Sequence, residues 1–126
     1  MKRKNRKATL QCCPPKPKLE DRSLIPHEQS LELESTFKML ANVSRLRILH
    51  ALVREKEMSV LSLAKVVSMK PQAVSNQLRR MTDRGIVASR REGNHIHYRM
   101  IDPCVASLLD QGLCLAEDAK ERRKKI

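Results

Sequence analysis

Tryptophan is absent from this 126-residue chain, and Phe37 and Tyr98 are its only aromatic side chains. A core must therefore be assembled from Leu, Val, Ile, Met and Ala, a set suited to helices. Glycine is nearly as scarce. Three glycines do not make a phosphate-binding loop, and neither a nucleophile elbow nor a paired His/carboxylate motif is present, so nothing points to an enzyme. No run approaches the roughly 20 apolar residues that cross a bilayer. The basic N-terminus lacks the apolar stretch of a secretory signal, so a cytoplasmic chain with no membrane partner is expected. Cysteine is limited to Cys12, Cys13, Cys104 and Cys114, with no CxxC pair among them. That excludes a zinc finger or ribbon. In a reducing compartment these four are ligands, sensors or packing groups rather than structural disulfides. The length allows one domain with extensions and a modest core.

What is abundant is positive charge. The net charge is +12, and its placement carries more information than its size. Residues 1–22 hold eight basic and two acidic groups, and residues 119–126 hold five and one. Basic tails of this kind are usually solvated or bind polyanions unspecifically. Residues 23–60 are balanced, 61–99 carry +6, and 100–118 carry −4. A basic stretch inside the folded region points to a nucleic-acid partner more strongly than either tail does.

The first 27 residues read as a basic, proline-containing tail without a core of its own, with CCPPKPK at its centre. From Glu28 a helical pattern begins, in which Leu31, Leu33, Phe37 and Leu40 fit an amphipathic helix, and Ala41-Asn42-Val43 ends it. Ser44 is the expected cap of a second helix carrying Leu46, Leu49 and Val53, flanked by Ile48 and Leu52. Ser59 caps a short third helix with Val60, Leu63, Ala64 and Val67. After a turn at Ser68-Met69-Lys70, Pro71 opens a fourth helix that runs to about Arg84, where Gly85 stops it. Residues 86–90 and 96–100 then form a hairpin about Glu92-Gly93-Asn94. Asp102-Pro103 starts a last helix with a stripe at Val105, Leu108, Leu109, Gly112, Leu115 and Ala116. This order predicts a mainly helical α+β fold: a winged helix-turn-helix over residues 28–118, flanked by a terminal helix at each end. Residues 119–126 remain as a basic C-terminal tail.

The fourth helix has two chemically distinct faces. Val74, Leu78 and Met81 point inward. Gln72, Ser75, Asn76 and Arg79 recur at i, i+3, i+4 and i+7 on another face. Asn and Gln suit adenine edges, Arg suits guanine, and Ser accepts several partners. Arg80 and Arg84 flank that face as phosphate contacts. Arg90 and Arg91 put charge at the hairpin tip, where a wing reaches along the backbone or into the minor groove. His95 and His97 alternate onto one exposed side of the same hairpin and belong to the wing.

Three segments, LANVSRLRILHAL (40–52), PQAVSNQLRRMTDRGIV (71–87) and REGNHIHYRM (91–100), make the chain resemble the ArsR/SmtB family of metal-responsive winged-helix repressors. The resemblance implies a homodimer whose first and last helices pair across a two-fold axis. It also implies binding to double-stranded operator DNA that weakens when an inducer binds. No other protein partner is implied, and no ion is needed for folding.

Where relatives carry Cys-x-Cys on the third helix, this chain has Ser59 and Leu61. Where persulfide-sensing relatives carry a cysteine, it has His50. The family's zinc-like sites on the last helix match Asp102, Cys104, Cys114 and Glu117, with a gap one residue shorter than the pattern. That deletion turns the second pair by about 100° on a helix. In an antiparallel pair of helices, Cys104 with the opposing Cys114, and Asp102 with the opposing Glu117, share nearly one centre. The set would then form two equivalent intersubunit sites for zinc, cadmium, lead or arsenite. The alternatives are that Cys104 and Cys114 are small buried hydrophobes, or that they form a thiol-redox switch on the same DNA-binding frame. An inducer-independent regulator is also open. Cys12 and Cys13 are a second pair of candidate ligands, joined to others elsewhere.

Overall fold

The computed structural model describes residues 15–125. Residues Leu19–Asp21 form a single 3-10 turn, and five α-helices and a three-stranded antiparallel sheet follow. In chain order these are α1 (His27–Leu40), α2 (Val43–Glu55), β1 (Glu57–Ser59), α3 (Val60–Val67) and α4 (Pro71–Asp83). Then come β2 (Val87–Glu92), β3 (His95–Met100) and α5 (Pro103–Lys125). The winged helix-turn-helix is the fold expected. The strand β1 was not anticipated. Three residues are too few for alternation to show, and the sheet order β1-β3-β2 supplies β1's partner from forty residues downstream.

Local chemistry explains most boundaries. Asn42, not Ser44, caps α2: its side-chain oxygen accepts a hydrogen bond from the Arg45 amide at 3.0 Å. Asn is at least as good a cap as Ser. The helix therefore starts at Val43, with only Ala41 and Asn42 separating it from α1. This start turns Ile48, Leu49, Ala51 and Leu52 into the core, while Leu46 stays 37% exposed. Ser59 caps α3 as expected, accepting from the Ser62 amide at 3.2 Å. Pro71 occupies the first turn of α4, where its missing N–H costs nothing. Gly85, at φ +73°, takes the left-handed turn that leads from α4 into the buried pair Ile86 and Val87. The hairpin turns on Gly93-Asn94 alone, with Gly93 at φ +64°. Glu92 belongs to the strand, paired with His95. Strand β2 thus runs two residues further toward the tip than the expected 86–90.

One core sits between α2, α3, α4 and the base of the sheet. Its fully buried side chains include Ile48, Leu49, Leu52, Leu63, Val74, Leu78, Met81 and Val87. The terminal helices contribute little to it. Leu40 is the one buried residue of α1 and Val105 that of α5. Leu31, Leu33 and Phe37 on α1 are each about half exposed, as are Leu113 and Leu115 on α5. The protomer thus covers the apolar residues at only one end of each of these helices. Residues 119–125 are the last two turns of α5, so the basic C-terminal segment is helical.

Candidate nucleic-acid interface

Helix α4 divides as its spacing predicts. Val74, Leu78 and Met81 are fully buried, and burial of that stripe fixes the rotation of the helix. Gln72, Asn76 and Arg79 are therefore exposed along the other side, with Ser75 half-buried beside them. Gln72 donates to the side-chain oxygen of Asn76 at 3.1 Å, which holds the two amide groups side by side on one exposed face. Arg80 is exposed on the flank. Arg84, also exposed, donates to the Ser35 hydroxyl of α1 at 2.9 Å.

The wing holds its two tip arginines differently. Arg90 makes a fork-to-fork pair with Glu57 of β1, at 2.9 Å through Nε and 2.8 Å through Nη2. The antiparallel ladder explains it: Glu57 lies opposite Arg99 and Arg90 opposite His97, which puts both on one face of the sheet. Glu92 lies 3.4 Å from Arg90 and 3.7 Å from His97 Nε2, so His97 is half-buried within this cluster rather than freely exposed. Hydrogen bonding to Arg90, against some desolvation, holds the Glu57 carboxyl below the usual range and raises Arg90. Arg91 points to the opposite face by alternation, is exposed, and has no carboxylate within ion-pair distance among the described residues. Sequence reading missed Glu57 because β1 itself was not anticipated.

It also missed Arg45 and Gln77. Arg45 Nε donates to Gln77 Oε1 of α4 at 2.7 Å, and its Nη1 donates to the Met39 carbonyl of α1 at 2.9 Å. The available signal was position: Gln77 follows Val74 by three and precedes Met81 by four, at the border of the buried stripe.

The thiol candidates lie on α5. Asp102 accepts from the Cys104 amide at 2.9 Å and so caps that helix. Cys104 and Cys114 are both exposed, which rules out the reading as buried hydrophobes within the protomer. Ten residues of helix separate them by about 15 Å, so one chain does not bring them together. Among the described residues no group of three or more His, Cys, Asp or Glu is placed to hold a metal ion. Cys114 donates to Asp118 at 3.5 Å. That hydrogen bond, the charge of Asp118, and the further acids Glu117 and Asp110 push the thiol up. The acid at the sulfur is Asp118, one turn on, rather than Glu117. Cys12 and Cys13 fall outside the described residues. No described helix is long and apolar enough to cross a membrane.

Comparison with known proteins agrees with this geometry. Residues 40–90 match the helix-turn-helix domain family. The chain is 38% identical over 93 residues to the transcriptional regulator NmtR of Mycobacterium tuberculosis, spanning 74% of this chain and 77% of that protein. It is 29% identical to the cadmium resistance regulatory protein CadC of Listeria innocua, over 65% of this chain and 69% of CadC. Among solved structures, the antimony-specific transcriptional repressor AntR superposes with TM-score 0.74 and 53% identity, covering 87% of this chain and 99% of AntR. A homodimeric winged helix-turn-helix DNA-binding domain from Mycobacterium bovis superposes with TM-score 0.66 at 28% identity, over 80% and 95% of the two chains.

Proposed function

The chain belongs to the ArsR/SmtB family of metal-responsive winged-helix regulators, and from that premise we propose that it is a homodimeric repressor released from its operator by a thiophilic ion bound between paired α5 helices. Gln72, Ser75, Asn76 and Arg79 read bases, with Arg80, Arg91 and the N-terminal basic tail on phosphates. Residues 28–118 form the DNA-binding and dimerisation unit, and the last two turns of α5 extend beyond it.

The observation that carries the sensor reading is the exposure of both α5 thiols on a helix where the protomer buries Val105 but leaves Leu108, Leu113 and Leu115 exposed. A second copy is what such rows on both terminal helices are suited to meet. If two α5 helices run antiparallel about a point near Leu109, each Cys104 comes level with its partner's Cys114. Four thiols then lie in two equivalent pairs, a donor set that fits soft ions. Similarity to an antimony-specific repressor supports a trivalent metalloid, arsenite or antimonite, over zinc. Asp102 and Glu117 would matter only to an ion that takes oxygen as well, such as zinc or cadmium. Oxidation is the weaker trigger, because the acids around Cys114, Asp118 first, push its thiol up and so disfavour the reactive thiolate.

The test is a titration of the reduced dimer on its own promoter DNA with arsenite, antimonite, cadmium, lead and zinc. Cys104→Ser/Cys114→Ser is run beside the wild type. Release of the wild type alone, strongest with the metalloids, is expected. Equal release of the double variant, or no response to any ion, would overturn the sensor assignment and move the search to Cys12 and Cys13.

A further inference from the structure

We propose that Arg45 is the positioning residue that sets the aim of the recognition helix from the dimer helix, by holding α1 and α4 with one guanidinium. The inference rests on the repressor reading above and adds to it the residue that transmits helix packing to the DNA-binding face.

The two hydrogen bonds of Arg45 are unlike most on this surface. One closes on the Met39 carbonyl, in the last turn of α1, where helix carbonyls lack intrahelical donors. The other, at 2.7 Å, closes on Gln77 in the middle of α4. Arg45 itself is anchored by its own amide to the Asn42 cap. The contact is part-buried, so water competes poorly for either bond. A guanidinium carries its donors in a rigid planar fork, so a change in the position of α1 relative to Arg45 is felt at Gln77. Gln77 lies about 140° around the helix from Gln72, away from the base-reading face. The clamp therefore turns the reading face without touching DNA. Arg84 adds a second, exposed tie from the end of α4 to Ser35 of α1.

Helix α1 buries only Leu40 in the protomer, so this pair of guanidinium ties supplies side-chain hydrogen bonds that hold it to α4. Whatever covers the apolar side of α1 fixes its position, and Arg45 passes that position to α4. Two partners in one network should show coupling in a double-mutant cycle.

The experiment uses the full-length dimer with Arg45→Met, Gln77→Leu, their combination, and Gln77→Glu, which keeps an acceptor for Arg45. Affinity for promoter DNA and for a scrambled duplex is measured by fluorescence anisotropy, with the melting temperature as a check on folding. Each single variant should lose promoter affinity by about three- to thirtyfold, with scrambled-duplex affinity unchanged. The double variant should lose no more than either single one, and Gln77→Glu should retain the wild-type preference. Additive losses, equal losses on both duplexes, or no loss would show Arg45 to be a helix cap only. A wild type without preference for its promoter would sink the regulator reading instead. The clamp is then judged by amide hydrogen exchange across residues 71–83, which must accelerate equally in both single variants and stay slow in Gln77→Glu.

Discussion

Replacing Arg91 with alanine should flatten the salt dependence of DNA binding, while replacing Arg90 should not. The two side chains are adjacent and of one type, so the contrast isolates the ion pair. The Arg90 guanidinium is taken up by Glu57 through two bonds, with Glu92 close by. Arg91 faces the other way and is exposed. Each phosphate neutralised contributes about 0.9 to the slope of log affinity against log salt, so two wings losing Arg91 remove about 1.8. Between 50 and 200 mM salt, the wild type should then lose about tenfold more affinity than Arg91→Ala does. Anisotropy titrations at four salt concentrations measure this directly. Glu57→Gln combined with Glu92→Gln is the complement: it removes both carboxylates from Arg90 and should steepen the slope. A slope for Arg90→Ala as flat as that for Arg91→Ala would refute the reasoning, since the Glu57 pair would then open on contact with DNA. The lock also has a pH sense. Glu57 is held below its ordinary range, so the pair is intact at neutral pH and is lost as the pH falls through the lowered Glu57 value.

Asp118→Asn should speed alkylation of Cys114 by iodoacetamide near neutral pH, because it removes the largest cause of the raised thiol. Rates that stay unchanged would mean the thiol is governed by something other than that carboxylate. On the proposed sensor reading, ion binding at Cys114 should strengthen as pH rises, since the thiol must shed its proton. Leu78→Ala, at a fully buried position, should cost about 2–5 kcal/mol in urea unfolding; a cost under 1 kcal/mol would show the core able to close around the gap. Asn42→Ala should cost about 1 kcal/mol in the same assay through loss of the α2 cap, and a neutral result would return that role to Ser44.

Much of the fold was legible because it rests on short-range rules. Pro71 at a helix start, Gly85 past its end, and the Val74–Leu78–Met81 stripe each announce their roles locally. The cap of α2 was misplaced by two residues because both Asn42 and Ser44 are good caps, and only packing of Ile48, Leu49 and Leu52 decides between them. Strand β1 was illegible for a different reason: its stability comes from β3, far along the chain, and three residues carry no period. Everything that depends on β1 was hidden with it, including the pairing of Arg90. The exposed polar face of α4, proposed above to read bases, followed from helix spacing alone. Arg45 did not, because a side chain bridging three helices leaves no repeat in the sequence. The thiols and their spacing on one helix were legible, but the acid at Cys114 was not: Glu117 and Asp118 both lie about one turn away, and only side-chain placement selects Asp118.

The thin burial of the two outer helices has a consequence for the cell. A protomer that leaves Leu31, Leu33, Phe37, Leu113 and Leu115 half in water depends on association for much of its apolar burial. Its melting temperature should then rise with protein concentration, and its lifetime against proteolysis with copy number. Scarce chains would be degraded before they repress, and abundant ones would persist. For the repressor proposed above, the threshold of silencing would thus be set partly by synthesis rate.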